Sequence, residues 1–467
     1  MKNKISILSA AAILFAANLS DAQEKTINVD VDVSKSAGII KPLNGGNLAE
    51  KISSTAAGNP VTEYIAELNM PLIRLHDVPL QNAGLRIVDT DLIFPNMHAD
   101  ENDPRNYCFA PTDDYIAECQ KTGANVVYRL GVSIDHSVRK YRTAPPDPEK
   151  WAKVCIKIIE HLNEGWAKGR NFGIKYFEIW NEPDGKSRSG KNFQWGGSLE
   201  HFADFYAKTA KIIKARFPHI KIGGPAFCYF NKNTFGMFLD KVKAENAPLD
   251  FFSWHKYSDS VEKYIAEPAA VRKFFDERGF KNTELHLNEW HPMYVPWSGL
   301  RRFRDNPDFE KNVSNMTSHE IGVAACSILI GWQDTPLDHA MFYSTGTFGR
   351  NWTMFTENGL PVKLYYPFKA FGQMNKFPRR LAAKSDNKNA YALAGKDGNG
   401  RRAVLVSLYK TGKNTLAINI PGADLSKAEI LVCDGVKNLE PAGNAKISDG
   451  KIEIPVAADS SAVLVKF

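Results

Sequence analysis

The stretch FEIWNEPDG, from Phe177 to Gly185, decides how the fold of this chain is interpreted. A run of strand-forming residues ends abruptly in Asn-Glu-Pro, so the amide of Asn181 and the carboxylate of Glu182 stand together where a buried strand ends. Parallel barrels bind their ligands at the carboxyl ends of their strands, because the loops gather there. These two groups therefore mark a candidate site if the surrounding chain builds such a barrel.

The surrounding chain has a repeating pattern, in which short apolar strands alternate with long amphipathic helices. In the helix predicted at 198–218, Phe202 and Phe205 share one face, and Pro218 ends the helix. Continuous apolar runs suit parallel strands that are covered on both sides. The predicted strands are 39–47, 69–77, 124–132, 174–182, 220–226, 249–257, 283–290 and 338–345. Eight strands with helices between them predict an α/β chain whose residues 39–372 form a (β/α)8 TIM barrel.

Segments near both ends of the chain have a different pattern, in which apolar and polar residues alternate with a period of two. Alternation such as that of Ile452, Ile454 and Val456 recurs along 373–467 and predicts a C-terminal antiparallel β-sandwich domain. The segment 23–38 alternates in the same way. We expect it to add a strand to that sandwich, which makes the domain discontinuous in sequence.

The first 22 residues have the pattern of a secretory signal peptide. Lys2 and Lys4 precede an apolar run from Ile5 to Ala17, and small residues lead to a predicted cleavage site after Ala22. The apolar run is too short for a membrane span, and no Cys follows the cut to carry a lipid anchor. The sequence therefore predicts a secreted or periplasmic protein without a membrane span.

Charge and cysteine usage exclude several classes of function. The formal net charge is +7, and no long basic block with interleaved aromatic residues predicts a nucleic-acid surface. The densest basic segment, LRRFR at 300–304, reads as a solvated loop, with contact to an acidic sugar as the alternative. The six cysteines are scattered, with no CxxC pair and no His at ligand spacing, so no zinc site is predicted. Buried free thiols are the favoured interpretation, although export permits disulfides.

Two glutamates occupy predicted strand ends of the barrel. Glu182 ends the fourth strand and Glu289, in LHLNEW, ends the seventh, so the closed barrel would bring both into one pocket. Glycoside hydrolysis needs such a pair, one carboxylic acid to protonate the leaving oxygen and one carboxylate on the other side of the sugar. Neither residue alone predicts catalysis, since a Glu before Pro is ordinarily a solvated side chain.

Other side chains at the strand ends suit the same chemistry, and each has a structural alternative. Asn181 can bond a sugar hydroxyl, and tryptophans can stack on sugar C–H groups or pack the core. His255 can position the nucleophile or be a core histidine satisfied by its neighbours. The candidates for contact with the substrate are Asn181, His255, Tyr257, Arg74, His76, Asn288, Trp290 and Trp332. Arg74 and His76 are either an ion-pair cluster or groups that hold the sugar or orient Glu182.

At these positions the chain resembles glycoside hydrolase family 39, within the clan of retaining (β/α)8 glycosidases. The resemblance is strongest in FEIWNEPDG and in FADFYAKTAKIIKARFPHIKIGGPA. It continues in DFFSWHKY, similar to a Ser-x-His-x-Tyr on the sixth strand, and in LHLNEW, similar to the nucleophile strand. Members also carry a β-sandwich beside the barrel.

This resemblance implies roles for the site residues. Glu182 becomes the general acid/base and Glu289 the nucleophile, and no metal or organic cofactor is needed. Asp77 and Asn288 depart from the family pattern, which bears on the sugar that is accepted. The resemblance implies an exo-acting β-xylosidase first. Alternatives are β-galactosidase, α-L-arabinofuranosidase or uronidase activity on an oligosaccharide or other glycoside, and a non-catalytic glycan-binding barrel.

Overall fold

The computed structural model describes most of the chain. Three interpretations made from the sequence lie outside the described residues: the signal peptide at 1–22, the basic segment 300–304 and the departure from the family pattern at Asp77. The described residues are 25–47, 61–76, 86–133, 144–186, 192, 194–296, 314–346, 353–356 and 358–467.

Eight parallel strands close into a barrel. Each strand pairs with the next along the chain, and the last strand pairs with the first through Gly45 opposite Met341. The strands are β2 (Gly45–Asn47), β3 (Leu72–Leu75), β4 (Asn125–Leu130), β5 (Tyr176–Ile179), β6 (Lys221–Phe227), β7 (Phe251–Ser258), β8 (Glu284–Pro292) and β9 (His339–Phe342). Each lies within or overlaps a predicted strand, which confirms the (β/α)8 barrel.

Helices cover the outside of the barrel. They are α1 (Thr62–Glu67), α2 (Thr90–Ile93), α3 (Ala110–Lys121), α4 (Pro148–Glu164), α5 (Leu199–Arg216), α6 (Lys232–Ala244), α7 (Val261–Glu277), α8 (His319–Gly331) and α9 (Tyr365–Met374). Helix α5 shows how the sequence sets their limits, because Ser198 caps its first turn by accepting from the His201 N–H and Pro218 follows its end. Its predicted apolar face, including Phe202 and Phe205, is buried. Among the described residues, no helix combines the length and apolarity needed to cross a membrane.

The second domain is one hydrogen-bonded sheet of ten strands. Its order is β15-β14-β18-β12-β11-β10-β1-β13-β17-β16. The strands are β1 (Thr26–Ile39), β10 (Arg379–Ser385), β11 (Ala390–Lys396), β12 (Arg402–Leu408), β13 (Asn414–Asn419), β14 (Glu429–Cys433), β15 (Asn438–Pro441), β16 (Lys446–Ser448), β17 (Lys451–Val456) and β18 (Ser461–Lys466). Alternate residues from both halves of the sheet pack into one core, as in a sandwich.

The N-terminal strand lies in the interior of this sheet. β1 pairs antiparallel with β10, where Val29 faces Ser385, and parallel with β13, where Val29 faces Ile418. Val29 and Val31 are buried, while the intervening Asp30 is exposed, as the alternation predicted. The β1–β13 pair is the parallel exception among the described pairings of this otherwise antiparallel sheet.

Helix α8 joins the barrel to the sheet. Its sequence is apolar almost all round, and its residues from Ile321 to Ile330 are buried, as expected for a helix covered on every side. Within the contact, the Ser407 hydroxyl lies 2.9 Å from the Ser327 hydroxyl and donates to the Val323 carbonyl oxygen at 3.0 Å. The sheet therefore packs directly on the helical layer of the barrel.

All six cysteines are free thiols in the structure. Four of them, at positions 119, 155, 326 and 433, are buried, Cys228 is partly buried and Cys108 is exposed. The prediction of free thiols is confirmed at all six positions. The prediction that the cysteines are buried is wrong for Cys108.

A polar cluster fills the amino-terminal end of the barrel, opposite to the strand ends that predicted the site. The Tyr176 hydroxyl lies 3.1 Å from Glu284 Oε2 and 3.3 Å from His339 Nε2, and His286 Nε2 lies 3.2 Å from the same Glu284 oxygen. Lys221 pairs with the other Glu284 oxygen. Burial lowers the pKa of His286 to about 3, so this imidazole is neutral in the folded protein.

The neutral, buried His286 predicts that the fold is sensitive to acid. In the unfolded chain the imidazole of His286 binds a proton near pH 6.5, whereas in the folded chain its pKa is about 3. Stability is therefore complete above pH 6.5 and falls as the pH drops, by about 2 kcal/mol between pH 7 and pH 5 for one such histidine. We expect His286→Gln to flatten this dependence in urea unfolding. The exposed His219→Gln should leave it unchanged, and equal slopes for both variants would contradict the assignment.

Candidate active site

Six of the predicted residues converge at the carboxyl ends of the barrel strands. Arg74 comes from β3, Asn181 and Glu182 follow β5, His255 and Tyr257 lie on β7, and Glu289 lies on β8. All are buried or partly buried. The barrel thus assembles residues that are up to 215 positions apart in sequence.

An unusual backbone turns Glu182 into the barrel mouth. Trp180 and Glu182 both adopt left-handed conformations, with φ of 75° and 47°. Such conformations are costly for residues other than glycine, and they persist where the surroundings enforce them. Here the Trp180 N–H donates to the Leu130 carbonyl oxygen at 2.8 Å and the Glu182 N–H to the Ala226 carbonyl oxygen at 2.9 Å. Neighbouring strands therefore hold the turn that presents the carboxylate.

The two glutamates lie on either side of one imidazole nitrogen. His255 Nδ1 is 3.0 Å from Glu182 Oε1 and 3.6 Å from Glu289 Oε1. Carboxylate oxygens of Glu182 and Glu289 lie within 4.8 Å of each other and of that nitrogen. The sequence assigned His255 to the nucleophile, but its shorter contact is with Glu182.

Both oxygens of Glu289 accept hydrogen bonds. The Tyr257 hydroxyl donates to Oε1 at 2.6 Å, and Arg74 Nη1 donates to Oε2 at 3.2 Å. Burial raises the pKa of Glu289, and the nearby Glu182 adds to the rise, while His255, Arg74 and Tyr257 act in the opposite direction. These three partners therefore favour the ionised carboxylate in a place where burial opposes it.

The guanidinium of Arg74 connects the site residues. Besides Glu289, it donates from Nε to Glu178 Oε2 at 2.7 Å, from Nη2 to Asn181 Oδ1 at 2.7 Å and from Nη1 to Asn47 Oδ1 at 3.3 Å. Its side chain is fully buried. Arg74 therefore orients Glu289 and Asn181, whereas the sequence analysis offered Glu182 as the residue it might orient.

The side-chain amide of Asn181 uses its oxygen in the network, while its nitrogen faces no protein acceptor among the described residues. Its oxygen accepts from Arg74, which fixes the orientation of the side chain. Its Nδ2 is buried and has no hydrogen-bond partner within the described part of the chain. A buried donor without a partner is costly, so Nδ2 is placed to donate to an oxygen of a bound ligand.

The remaining predicted residues lie beside or beneath this group. The Asn288 amide donates to Glu178 Oε1 and so supports the site from below. His76 accepts at Nδ1 from Arg129 Nε at 3.3 Å, next to the buried Arg129–Asp89 pair. His76 thus lies in an ion-pair cluster, the alternative offered for it.

The predicted sugar contact of Trp332 is corrected by the structure, and Trp290 lies with it. Trp332 is fully buried, and its indole N–H donates to the Tyr264 carbonyl oxygen at 2.8 Å. Trp290 is also fully buried, with its ring centroid 4.8 Å from that of Trp332. Both rings belong to the packing around α7 and β8. They offer a ligand no exposed face in this conformation.

Two residues of the site, Glu178 and Asn47, were not predicted from the sequence. Glu178 is fully buried and binds Arg74, Asn288 and the Ser253 hydroxyl, which donates to its Oε1 at 2.7 Å. Asn47 accepts from Arg74 and donates to the Asn288 carbonyl oxygen at 2.8 Å. A carboxylate inside the apolar run YFEIW was the available signal, because buried charges need partners.

Two clusters of the described residues could geometrically hold a metal ion. One is Glu182, His255 and Glu289, and the other is Glu284, His286 and His339 at the opposite end of the barrel. In the first, Arg74 and Tyr257 already donate to both oxygens of Glu289. In the second, Lys221 pairs with Glu284. Cationic or protic donors thus hold the carboxylates that a metal would need.

Comparison with known sequences agrees with the motifs. Residues 135–327 match the model of the family described as glycosyl hydrolases family 39, the family that the sequence motifs resemble. A β-xylosidase from Geobacillus stearothermophilus is 25% identical over 177 residues, which are 33% of this chain and 33% of that protein. A β-xylosidase from Caldicellulosiruptor saccharolyticus is 28% identical over 206 residues, 41% of this chain and 37% of that protein. This chain thus aligns with about a third of the length of each relative.

Solved structures share the whole architecture. A glucosidase from Croceicoccus marinus superposes with a TM-score of 0.77 at 21% identity, covering 95% of this chain and 99% of that chain. An α-L-arabinofuranosidase from Thermotoga maritima gives a TM-score of 0.64 at 13% identity, covering 94% and 99%. At these identities the likeness concerns the fold alone, and it confirms the barrel with its appended β-domain.

The buried Arg74 predicts a large stability loss on its removal. Arg74→Ala would leave Glu178 as a buried carboxylate without its cation, and breaking such a pair costs about 3–5 kcal/mol. We expect this loss in the free energy of unfolding measured in urea at pH 7. Lys273→Ala removes an exposed pair with Glu277 and serves as the control, with a change within about 0.5 kcal/mol. Equal effects of the two substitutions would contradict the network.

Proposed function

We propose that this chain is an exported glycoside hydrolase of family 39 that cleaves O-glycosidic bonds with retention. The observation that carries the proposal is the placement of Glu182 and Glu289, whose carboxylate oxygens lie within 4.8 Å of each other at one barrel mouth. Retaining glycosidases hold their two carboxyl groups about 5–5.5 Å apart, whereas inverting enzymes need a wider gap for a water molecule. Export is proposed from the leader pattern of residues 1–22.

In the first step, Glu289 attacks the anomeric carbon while Glu182 gives its proton to the departing oxygen. Arg74 and Tyr257 support this assignment, because both donate to Glu289 and favour the ionised carboxylate that a nucleophile requires. Glu182 lies against His255, whose Nδ1 is 3.0 Å from its Oε1. The two glutamates thus have different environments, which is how paired carboxyl groups acquire different roles.

In the second step, water attacks the glycosyl-enzyme ester. Glu182, now ionised, takes a proton from this water, and Glu289 leaves as the carboxylate. Asn181 Nδ2 is the donor we assign to the sugar hydroxyl next to the reacting carbon. Such a bond strengthens in the transition state. After the second step both glutamates are back in their starting protonation states. The net reaction consumes one water molecule and requires no cofactor.

The proposed substrate class is a β-xyloside, released from a chain end. The two curated relatives are named β-xylosidases, and the family resemblance favours the same activity. The alternatives that the sequence resemblance implies are β-galactosidase, α-L-arabinofuranosidase and uronidase activities. A glycan-binding barrel without activity is the alternative from a different class, and the hydrogen-bonded, paired carboxylates favour the enzyme.

The first test is hydrolysis of a panel of aryl glycosides by the mature protein. We expect turnover of the xyloside, or of one of the alternative sugars, and a loss of at least about a thousandfold in Glu289→Ala, because the nucleophile is absent. Release of the aryl alcohol is measured by absorbance. Glu200→Ala, which removes an exposed glutamate on α5, is the matched control and should keep full activity.

The outcomes of this panel separate the proposed classes. Turnover of one sugar that Glu289→Ala abolishes identifies a glycosidase and its substrate class. A folded protein that binds oligosaccharides but turns over none of them would favour the binding barrel instead.

The separate roles of the two glutamates predict different responses to azide. In Glu182→Ala, the glycosyl-enzyme still forms from substrates with good leaving groups, and a small anion can then replace the water that Glu182 would activate. We expect azide to restore turnover and to yield a glycosyl azide of retained configuration, seen by NMR. Glu289→Ala should give no product of retained configuration. Retention in that variant alone would reverse the two assignments.

A further inference from the structure

Glu178 is a fully buried carboxylate that lies one layer below the reacting groups. It belongs to β5, four residues before Glu182, and no part of its side chain is exposed. Its Oε2 accepts from Arg74, and its Oε1 accepts from Ser253 and Asn288. Three strands other than its own, β3, β7 and β8, thus supply donors to this one side chain.

A stabilising role alone does not explain why a charge stands here. Replacing a buried ion pair by apolar residues of the same size is often neutral or favourable for stability. An apolar residue at position 178 would, however, leave the Arg74 guanidinium without the partner that fixes its Nε edge. Because the guanidinium is planar, fixing that edge also sets the direction of Nη1 and Nη2.

Those two nitrogens contact the groups proposed for the reaction. Nη1 donates to Glu289 and Nη2 donates to Asn181. Glu178 also holds the Asn288 amide, and Asn288 immediately precedes Glu289 on β8. One buried carboxylate thus sets the geometry on both sides of the nucleophile without contacting the nucleophile itself.

We propose that Glu178 is a positioning residue of this enzyme, which acts through Arg74 to aim the guanidinium at Glu289 and Asn181 and to share its positive charge with Glu289. This inference rests on the proposed glycosidase function. Glu178 contacts no reacting atom, so it is not itself a catalytic group.

Because Glu178 and Glu289 both interact with the positive charge of Arg74, the proposed role predicts the direction in which the pKa of Glu289 moves when Glu178 is neutralised. Glu289 faces Arg74 from β3, His255 and Tyr257 from β7 and Glu182 from the loop after β5, while Glu178 faces Arg74. Neutralising Glu178 leaves more of the Arg74 charge uncompensated beside Glu289 and so favours the ionised nucleophile. The pKa of Glu289 should fall, and the acid limb of the pH–rate profile should move to lower pH. Displacement of Arg74 out of reach of Glu289, as opposed to a small change in its aim, would instead weaken its effect and move this limb to higher pH.

The test measures kcat and kcat/KM of Glu178→Gln against pH, with the best substrate of the panel. We expect kcat to fall at least about tenfold, because the aim of Arg74 is disturbed. The acid limb should shift downward by on the order of one pH unit. Ser253→Ala removes a neutral donor from the same carboxylate and is the matched control, in which the limb stays in place. Glu178→Asp keeps the charge but not the reach, so it should lower kcat without moving the limb.

A double-mutant cycle with Arg74→Lys tests whether Glu178 acts through Arg74. Lysine keeps the charge but cannot bond Glu178, Glu289 and Asn181 at the same time. Since coupled residues are not additive, Glu178→Gln should cost less than about threefold in the Arg74→Lys background. Circular dichroism and thermal melting establish that each variant is folded. If Glu178→Gln does not fold, the cycle is run with Glu178→Asp.

Each outcome decides one of the two questions. An active wild type with an unmoved or upward-shifted limb in Glu178→Gln, or with additive losses in the cycle, overturns the positioning role. A wild type as inactive as Glu289→Ala overturns the proposed function before any Glu178 variant is measured.

Discussion

The guanidinium of Arg74 is the interaction on which the site depends. It is buried in the barrel and lies between two carboxylates, Glu178 below and Glu289 above. Removing a cation and two anions from water is expensive, and their attraction offsets this cost only when the geometry is good and further hydrogen bonds are made. Asn47 and Asn181 accept from the guanidinium, and Ser253 and Asn288 donate to Glu178. The barrel satisfies both requirements by drawing these groups from five of its strands, β2, β3, β5, β7 and β8.

The site combines this rigid base with a strained rim. Trp180 and Glu182 adopt left-handed backbone conformations immediately above the network, and hydrogen bonds to β4 and to the end of β6 hold them there. Residues in such conformations cluster at functional sites, because only a well-determined surrounding structure maintains them. The cost of presenting Glu182 is therefore carried by β4 and β6, the two strands that flank β5 in the barrel.

The sequence predicted the barrel well, because period and length report directly on strands and helices. The sixth and seventh barrel strands, predicted at 249–257 and 283–290, form Phe251–Ser258 and Glu284–Pro292. Glu182 and Glu289 could be paired from sequence, since barrel closure brings strand ends together. The Glu178 network could not, because a strand pattern does not tell which side chains meet inside a barrel. Trp332 was misassigned for a related reason, as the position of a residue near a helix end does not define the direction of its ring.

The position of β1 also constrains how the molecule can be divided. This strand, from the start of the described chain, fills the gap between β10 and β13 in a sheet that is otherwise built from residues after 378. A fragment beginning at residue 373 would lack it and would expose two unpaired strand edges, which favour aggregation. The β-domain is thus not an excisable module of the C-terminal segment. To isolate this domain, β1 must be kept, and a short link in place of the barrel could join Ile39 to Arg379, which already pair in neighbouring strands.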